Sequence, residues 1–191
     1  MIERDSQAND IYIMLHKTIE TVTTAKDPQG RKTVMDLLPP EIVKKRVFPV
    51  GRLDFYSEGL LLLTTDGELC NRMTHPKWHL PKIYDVTIRG ELSEEEMSVF
   101  KAGMYLKGGD LLAPVKIKPI KQIGETTKYE MVLHQGVNRQ IRRMFDEFNK
   151  TILRLKRVKQ GRVELGGLQS GKWRRLSKKE LTLLKEDLKM S

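Results

Sequence analysis

The sequence predicts an α+β fold built on a mixed, largely antiparallel sheet. Short apolar runs with strand character recur from Ile11 to Leu165. Helix-start signals stand at Asp66, Ser93 and Ser177. Strands and helices are interspersed without the strict alternation of parallel βαβ units. With 191 residues, 39% of them hydrophobic, the chain suffices for one compact domain or two small subdomains sharing a sheet.

Taken in order, residues 1–10 are polar and read as a linker. Ile11–Leu15 is a short β-rich apolar run and predicts a buried strand. Thr21–Thr24 is a candidate extension of the sheet, followed by the turn Asp27-Pro28-Gln29-Gly30. Val34–Leu38 predicts a short helix stopped by Pro39-Pro40. Gly59–Thr65 predicts a second buried strand, and Asp66-Gly67 turns the chain into a helix over 68–73. Ile83–Ile88 alternates like a half-buried strand. Ser93 caps a helix whose first turn is acidic. Strands are expected over 113–123, 126–134 and 151–165. A helix over 138–148 carries Ile141, Met144, Phe145 and Phe148 on one face. Ser177–Leu188 is a capped helix with Leu181, Leu184 and Leu188 inward.

Composition narrows the function. No apolar run approaches the roughly 18 residues needed to span a bilayer. Cys70 is the single cysteine, so no intrachain disulfide forms, and a cytoplasmic protein is expected. Net charge is +10 and unevenly spread. Residues 1–137 hold 19 basic against 19 acidic side chains, whereas 138–191 hold 16 against 6. A basic surface favours a polyanion, because each neutralised phosphate releases counterions, although charge alone does not separate RNA from DNA or an acidic membrane. No phosphate-cradling glycine loop and no nucleophile elbow is present. Cys70, His75 and His79 make a poor zinc set without a fourth ligand, so no metal site is expected.

Two segments carry the chemistry. Gly51-Arg52-Leu53-Asp54-Phe55-Tyr56-Ser57-Glu58-Gly59 is an acidic loop with a glycine at each end, leading into the buried run Leu60–Leu63. Such a strand holds a loop rigidly, as a catalytic group requires. From these residues alone, a structural turn with a capping aspartate is the favoured reading. The second segment, Gln135-Gly136-Val137-Asn138-Arg139-Gln140-Ile141-Arg142-Arg143-Met144, opens a helix with three arginines within five positions. Their repulsion calls for an anion, and RNA phosphate or a carboxylate serves.

Together these segments resemble the signatures of the RsuA/RluB/RluE/RluF family of ribosomal-RNA pseudouridine synthases. The likeness extends to Lys82-Ile83-Tyr84-Asp85-Val86, to Leu155-Lys156-Arg157-Val158 and to Gly167–Leu176, and covers Ile11 to about Leu184. It implies a pseudouridine synthase fold of two α/β subdomains sharing the sheet around a central cleft, with a soft boundary near 88–91. It implies isomerisation of uridine to pseudouridine without any cofactor. Asp54 matches the essential aspartate, Arg142 the arginine that keeps it ionised, and Tyr84 the tyrosine that stacks on the target base. Arg52, Lys82, Asn138, Arg139 and Arg143 are expected to organise the pocket or contact RNA. Arg154, Lys156 and Arg157 are expected to grip phosphate, on a strand with one wet face. Lys159, Arg162, Lys172, Arg174 and Arg175 are further candidates, and Trp173 either stacks on a base or packs inside.

The sequence departs from the family's usual pattern at His16-Lys17-Thr18-Ile19-Glu20, at Gln135 and at Thr65, which leaves the subfamily open. Members often carry a small N-terminal RNA-binding domain; none is expected within these 191 residues, whose polar start reads either as a natural short form or as a piece trimmed to the catalytic domain. The expected partner is ribosomal RNA or a ribosome-assembly intermediate, with no membrane, and a monomer is expected. Large-subunit RNA is the first expectation because 135–144 looks closest to large-subunit members. A small-subunit enzyme is the alternative, as is a non-catalytic RNA-binding module on the same fold. A nucleoside hydrolase or base glycosylase is disfavoured because no second carboxylate stands at a suitable place.

Overall fold

A computed structural model describes residues 9–78, 80–137 and 139–190. The expected linker 1–10 falls, but for its last two residues, outside them. In chain order the strands are β1 Tyr12–Lys17, β2 Phe48–Pro49, β3 Glu58–Thr64, β4 Lys82–Arg89, β5 Lys116–Ile123, β6 Thr126–Leu133, β7 Ile152–Gln160, β8 Val163–Glu164 and β9 Trp173–Arg175. The α-helices are α1 Pro40–Val43, α2 Gly67–Thr74, α3 Glu94–Ala102, α4 Gln140–Asp146 and α5 Lys178–Asp187.

The chain forms two compact units. One runs to Leu80 and resumes at Val158; the other is Pro81–Arg157. The boundary expected near 88–91 falls instead just before β4 begins. β4 pairs with β6 along its whole length, from Lys82↔Leu133 to Arg89↔Thr126, so a division close to Arg89 would cut an intact ladder.

In the first unit β1 lies between β3 and β9, antiparallel to both. Every residue of β3 is buried, which explains its uninterrupted Leu60–Leu63 run. Met14, Leu60, Leu62, Leu69, Val163 and Leu184 contribute to one core. Asp66 caps α2 by accepting from the Leu69 N–H, and accepts a second hydrogen bond from the Tyr12 hydroxyl at 2.6 Å. Ser177 and Glu180 form a reciprocal capping box on α5. The Arg174 guanidinium grips Glu180 in a fork at 2.7 and 2.9 Å and, with help from the Ser177 N–H, holds its carboxyl down at about 2.

The second unit has its own core, including Val86, Ile88, Phe100, Met131, Met144 and Phe145. Its strand order is β5-β6-β4-β7. Ser93 and Glu96 box the start of α3 as the sequence predicts. The Leu92 N–H is satisfied by the buried Tyr129 hydroxyl at 2.8 Å.

Three local expectations change. Val34–Leu37 is a 3-10 turn, and Pro40 starts α1 rather than only stopping the preceding helix, since proline at the first helical position loses no hydrogen bond. Val22 makes one isolated parallel bridge, to Thr33, instead of extending the sheet. The stretch 151–165 breaks after Gln160, where Gly161 takes φ +59° and turns β7 back onto β8.

Candidate active site

In the first unit the Asp54 loop is held from both sides. Upstream, β2 pairs with β3 and the Val50 N–H donates to the Leu62 carbonyl at 2.8 Å. Gly51 then reverses the chain at φ +74°, a conformation that costs glycine little. Leu53 is buried, and the Thr23 hydroxyl clasps its backbone, donating to its carbonyl at 2.8 Å and accepting from its N–H at 3.3 Å. The Ser57 N–H closes a turn on the Asp54 carbonyl at 3.0 Å, and the Glu20 N–H donates to the Phe55 carbonyl. With Leu53 buried, Arg52 is exposed and Asp54 half-buried.

Beneath this loop lies a residue that stands out in the sequence only as part of a departure from the family pattern. Lys17 is fully buried at the end of β1, and its ammonium donates to the Ser57 carbonyl at 2.7 Å and the Thr18 carbonyl at 2.9 Å. A buried lysine is rare unless its donors are satisfied. Here it ties the loop after Asp54 to the first strand. The signal available in the sequence is its place directly after an apolar strand run. Lys17→Met keeps the volume but strands the Ser57 carbonyl, so we expect a loss of about 1–3 kcal/mol in stability. Urea unfolding measures this, and an unchanged midpoint would remove Lys17 as an anchor.

The second unit carries the other expected residues on two neighbouring segments. Tyr84 sits half-buried on β4, opposite Met131, with its ring against the core. Lys82 lies two residues earlier on the same face of the strand. Burial, and then the nearby Arg157 charge, push its ammonium below the usual lysine range. Lys82 pairs with Leu133 at the end of β6, where the chain leaves for α4. On the way, Gln135 accepts from the Ala113 N–H at 2.7 Å. Arg139 occupies the left-handed region at φ 53° and starts α4. Gln140, Ile141, Met144 and Phe145 turn inward, leaving Arg142 and Arg143 half-exposed. Arg143 is held by Asp110 at 2.7 Å, a partner 33 positions away that the sequence does not announce. Asn138 lies outside the described residues, as does His79.

The expected phosphate strand is also rearranged. Along β7, Leu155 and Arg157 are buried, while Arg154 is exposed and Lys156 half-exposed. Strand alternation therefore separates Arg157 from the wet face on which all three cations were expected. Other basic residues of the C-terminal stretch hold acids: Arg162 meets Asp187 at 2.8 Å and Glu186 at 3.1 Å, and Lys159 meets Glu164 at 3.3 Å. Arg174 is committed to Glu180. Trp173 is half-buried on β9 opposite Leu15.

Residues 11–147 match the family described as RNA pseudouridylate synthase, a span that contains Asp54, Tyr84 and Arg142. An RNA pseudouridine synthase of Aquifex aeolicus is 39% identical over 91% of this chain and 69% of its own length. The ribosomal large subunit pseudouridine synthase B of Bacillus subtilis is 34% identical over 92% of this chain and 71% of its own. Among solved structures, a pseudouridylate synthase crystal structure superposes with a TM-score of 0.82 at 28% identity, covering 94% of this chain and 75% of the other.

Proposed function

Because the chain belongs to the RNA pseudouridylate synthase family, we propose that it isomerises one uridine of large-subunit ribosomal RNA to pseudouridine, with Asp54 as the catalytic carboxylate. The observation that carries this reading is the Asp54 loop. Its half-buried carboxylate stands between two glycines on a backbone clasped by Thr23 and tied down by Lys17. Rigid placement of this kind is what a carboxylate needs to act on a substrate rather than to cap a turn.

The reaction breaks the bond between ribose C1′ and uracil N1, rotates the base, and joins C1′ to C5. The C5 proton is then lost and N1 gains one, so substrate and product are isomers and no group is consumed. Asp54 supplies the ionised carboxylate that this exchange requires. Tyr84 offers its half-exposed ring to the base, and Arg142 brings positive charge to the reacting nucleotide. The target must leave its stack, at a cost on the order of a few kcal/mol. Contacts from basic side chains to the flanking phosphates offset that cost; Arg52, Lys82, Arg139, Arg154 and Lys156 are the candidates. The protein works in the cytoplasm as a monomer, on ribosomal RNA or an assembly intermediate.

Mapping pseudouridines in both ribosomal RNAs, from cells with and without the gene, tests the proposal. We expect one large-subunit position to lose its modification. Loss in the small subunit would move the enzyme to the alternative branch, and unchanged maps would overturn the ribosomal assignment.

A further inference from the structure

The charge balance of residues 1–137 conceals a local segregation that the fold exposes. Lys44, Lys45 and Arg46 follow one another on the turn after α1, and all three are exposed. Among the described residues none of them forms an ion pair. Glu41, the one acid within helical reach, does not pair with them. Elsewhere in the same unit cations find acids readily: Arg31 holds Asp27 at 2.9 Å, and Arg72 holds Glu68 at 3.1 Å.

The segment is fixed in place. The Lys44, Lys45 and Arg46 N–H groups donate to the carbonyls of Pro40, Ile42 and Val43 at 2.9–3.0 Å. Arg46 is held at φ 60°, a conformation that few non-glycine residues adopt. Three adjacent like charges on a rigid turn repel one another, and an external anion relieves that repulsion. The buried Val47 follows, and β2 then runs along β3 into Gly51 and Arg52. The cationic turn and exposed Arg52 thus flank one short segment, the two-residue strand β2 and the turn at Gly51, that leads into the Asp54 loop.

We propose that Lys44, Lys45 and Arg46, together with Arg52, form a phosphate-binding surface of the first unit that holds the RNA backbone flanking the target uridine. The inference rests on the reading of the chain as an RNA-modifying enzyme. Its chemistry is that of a polyanion backbone: the charged side chains are ammonium and guanidinium groups, which hold phosphates and so position RNA without reading sequence.

The test uses the full chain and a transcribed ribosomal RNA fragment that the parent protein converts to pseudouridine. Affinity is followed against potassium chloride concentration by filter binding. Lys44→Gln/Lys45→Gln/Arg46→Gln should weaken binding at least about tenfold and flatten the slope of log affinity on log salt by roughly 0.7–0.9 for each phosphate that is no longer neutralised. Single-turnover conversion at saturating RNA should be unchanged. A control, Lys178→Gln/Lys179→Gln/Lys189→Gln, removes the same net charge from the α5 region. An unaltered slope in the first variant overturns the proposal. Equal weakening by both variants also overturns it, by assigning the effect to net charge. Thermal melts that match the parent keep the comparison free of unfolding. Because the fragment is chosen for conversion by the parent, failure of the surface is distinguishable from failure of the enzymatic reading.

Discussion

Asp54→Ala is expected to form no measurable pseudouridine while binding RNA as tightly as the parent. The loop's anchors are the Thr23 hydroxyl, the Lys17 ammonium and backbone hydrogen bonds from Glu20 and Ser57, which do not depend on the Asp54 carboxylate. The substitution therefore removes the reacting group and leaves its support. Asp54→Asn is the sharper probe, because it keeps the shape and abolishes the charge. A loss of at least about a thousandfold corresponds to roughly 4 kcal/mol of transition-state stabilisation. Carbodiimide-primer extension on transcribed RNA reads the product, and a gel shift reads binding. Appreciable turnover by the alanine variant would remove Asp54 from the chemistry and return it to the role of a turn residue.

Arg142→Met is expected to lower the single-turnover rate by about a hundredfold to a thousandfold, the usual cost of removing one charge-stabilising donor from an active site. Its helix is held by Ile141, Met144 and Phe145, all buried, whereas Arg142 is only half-buried and is not one of the apolar residues of that core. Arg142→Lys should recover only part of the rate, because an ammonium is a point charge and a guanidinium a planar fork. Arg143 serves as the internal comparison. It stands next in sequence, yet its guanidinium is engaged by Asp110, and Arg143→Met should affect chemistry far less. Equal rates for the Arg142 variant and the parent would exclude Arg142 from catalysis.

Much of this molecule is written locally. The leucine run 60–63 specifies a strand buried on both faces, and β3 is buried throughout. Ser93 with Glu96, and Ser177 with Glu180, specify helix starts because capping is settled within four residues. The motif order from Asp54 to Arg142 is enough to identify the family, and residues 11–147 match it.

Other features depend on residues distant in sequence. Whether a cation is available for RNA depends on which acid the fold brings to it: Arg143 is engaged by Asp110, Arg162 by Asp187, and Arg174 by Glu180, whereas Lys44, Lys45 and Arg46 meet none among the described residues. A count of charges along the chain therefore points to the C-terminal stretch and passes over this turn. Lys17 is buried because its ammonium meets the Ser57 carbonyl 40 positions away, and Arg157 turns inward because it shares a strand face with Leu155. The division into units likewise follows from strand pairing, with the chain resuming at Val158 what it left at Leu80. Periodicity and capping act over one or two turns of chain, so sequence alone determines the elements and the order of the motifs. Burial and ion pairing are properties of contacts closed across tens of residues, and those the tertiary structure decides.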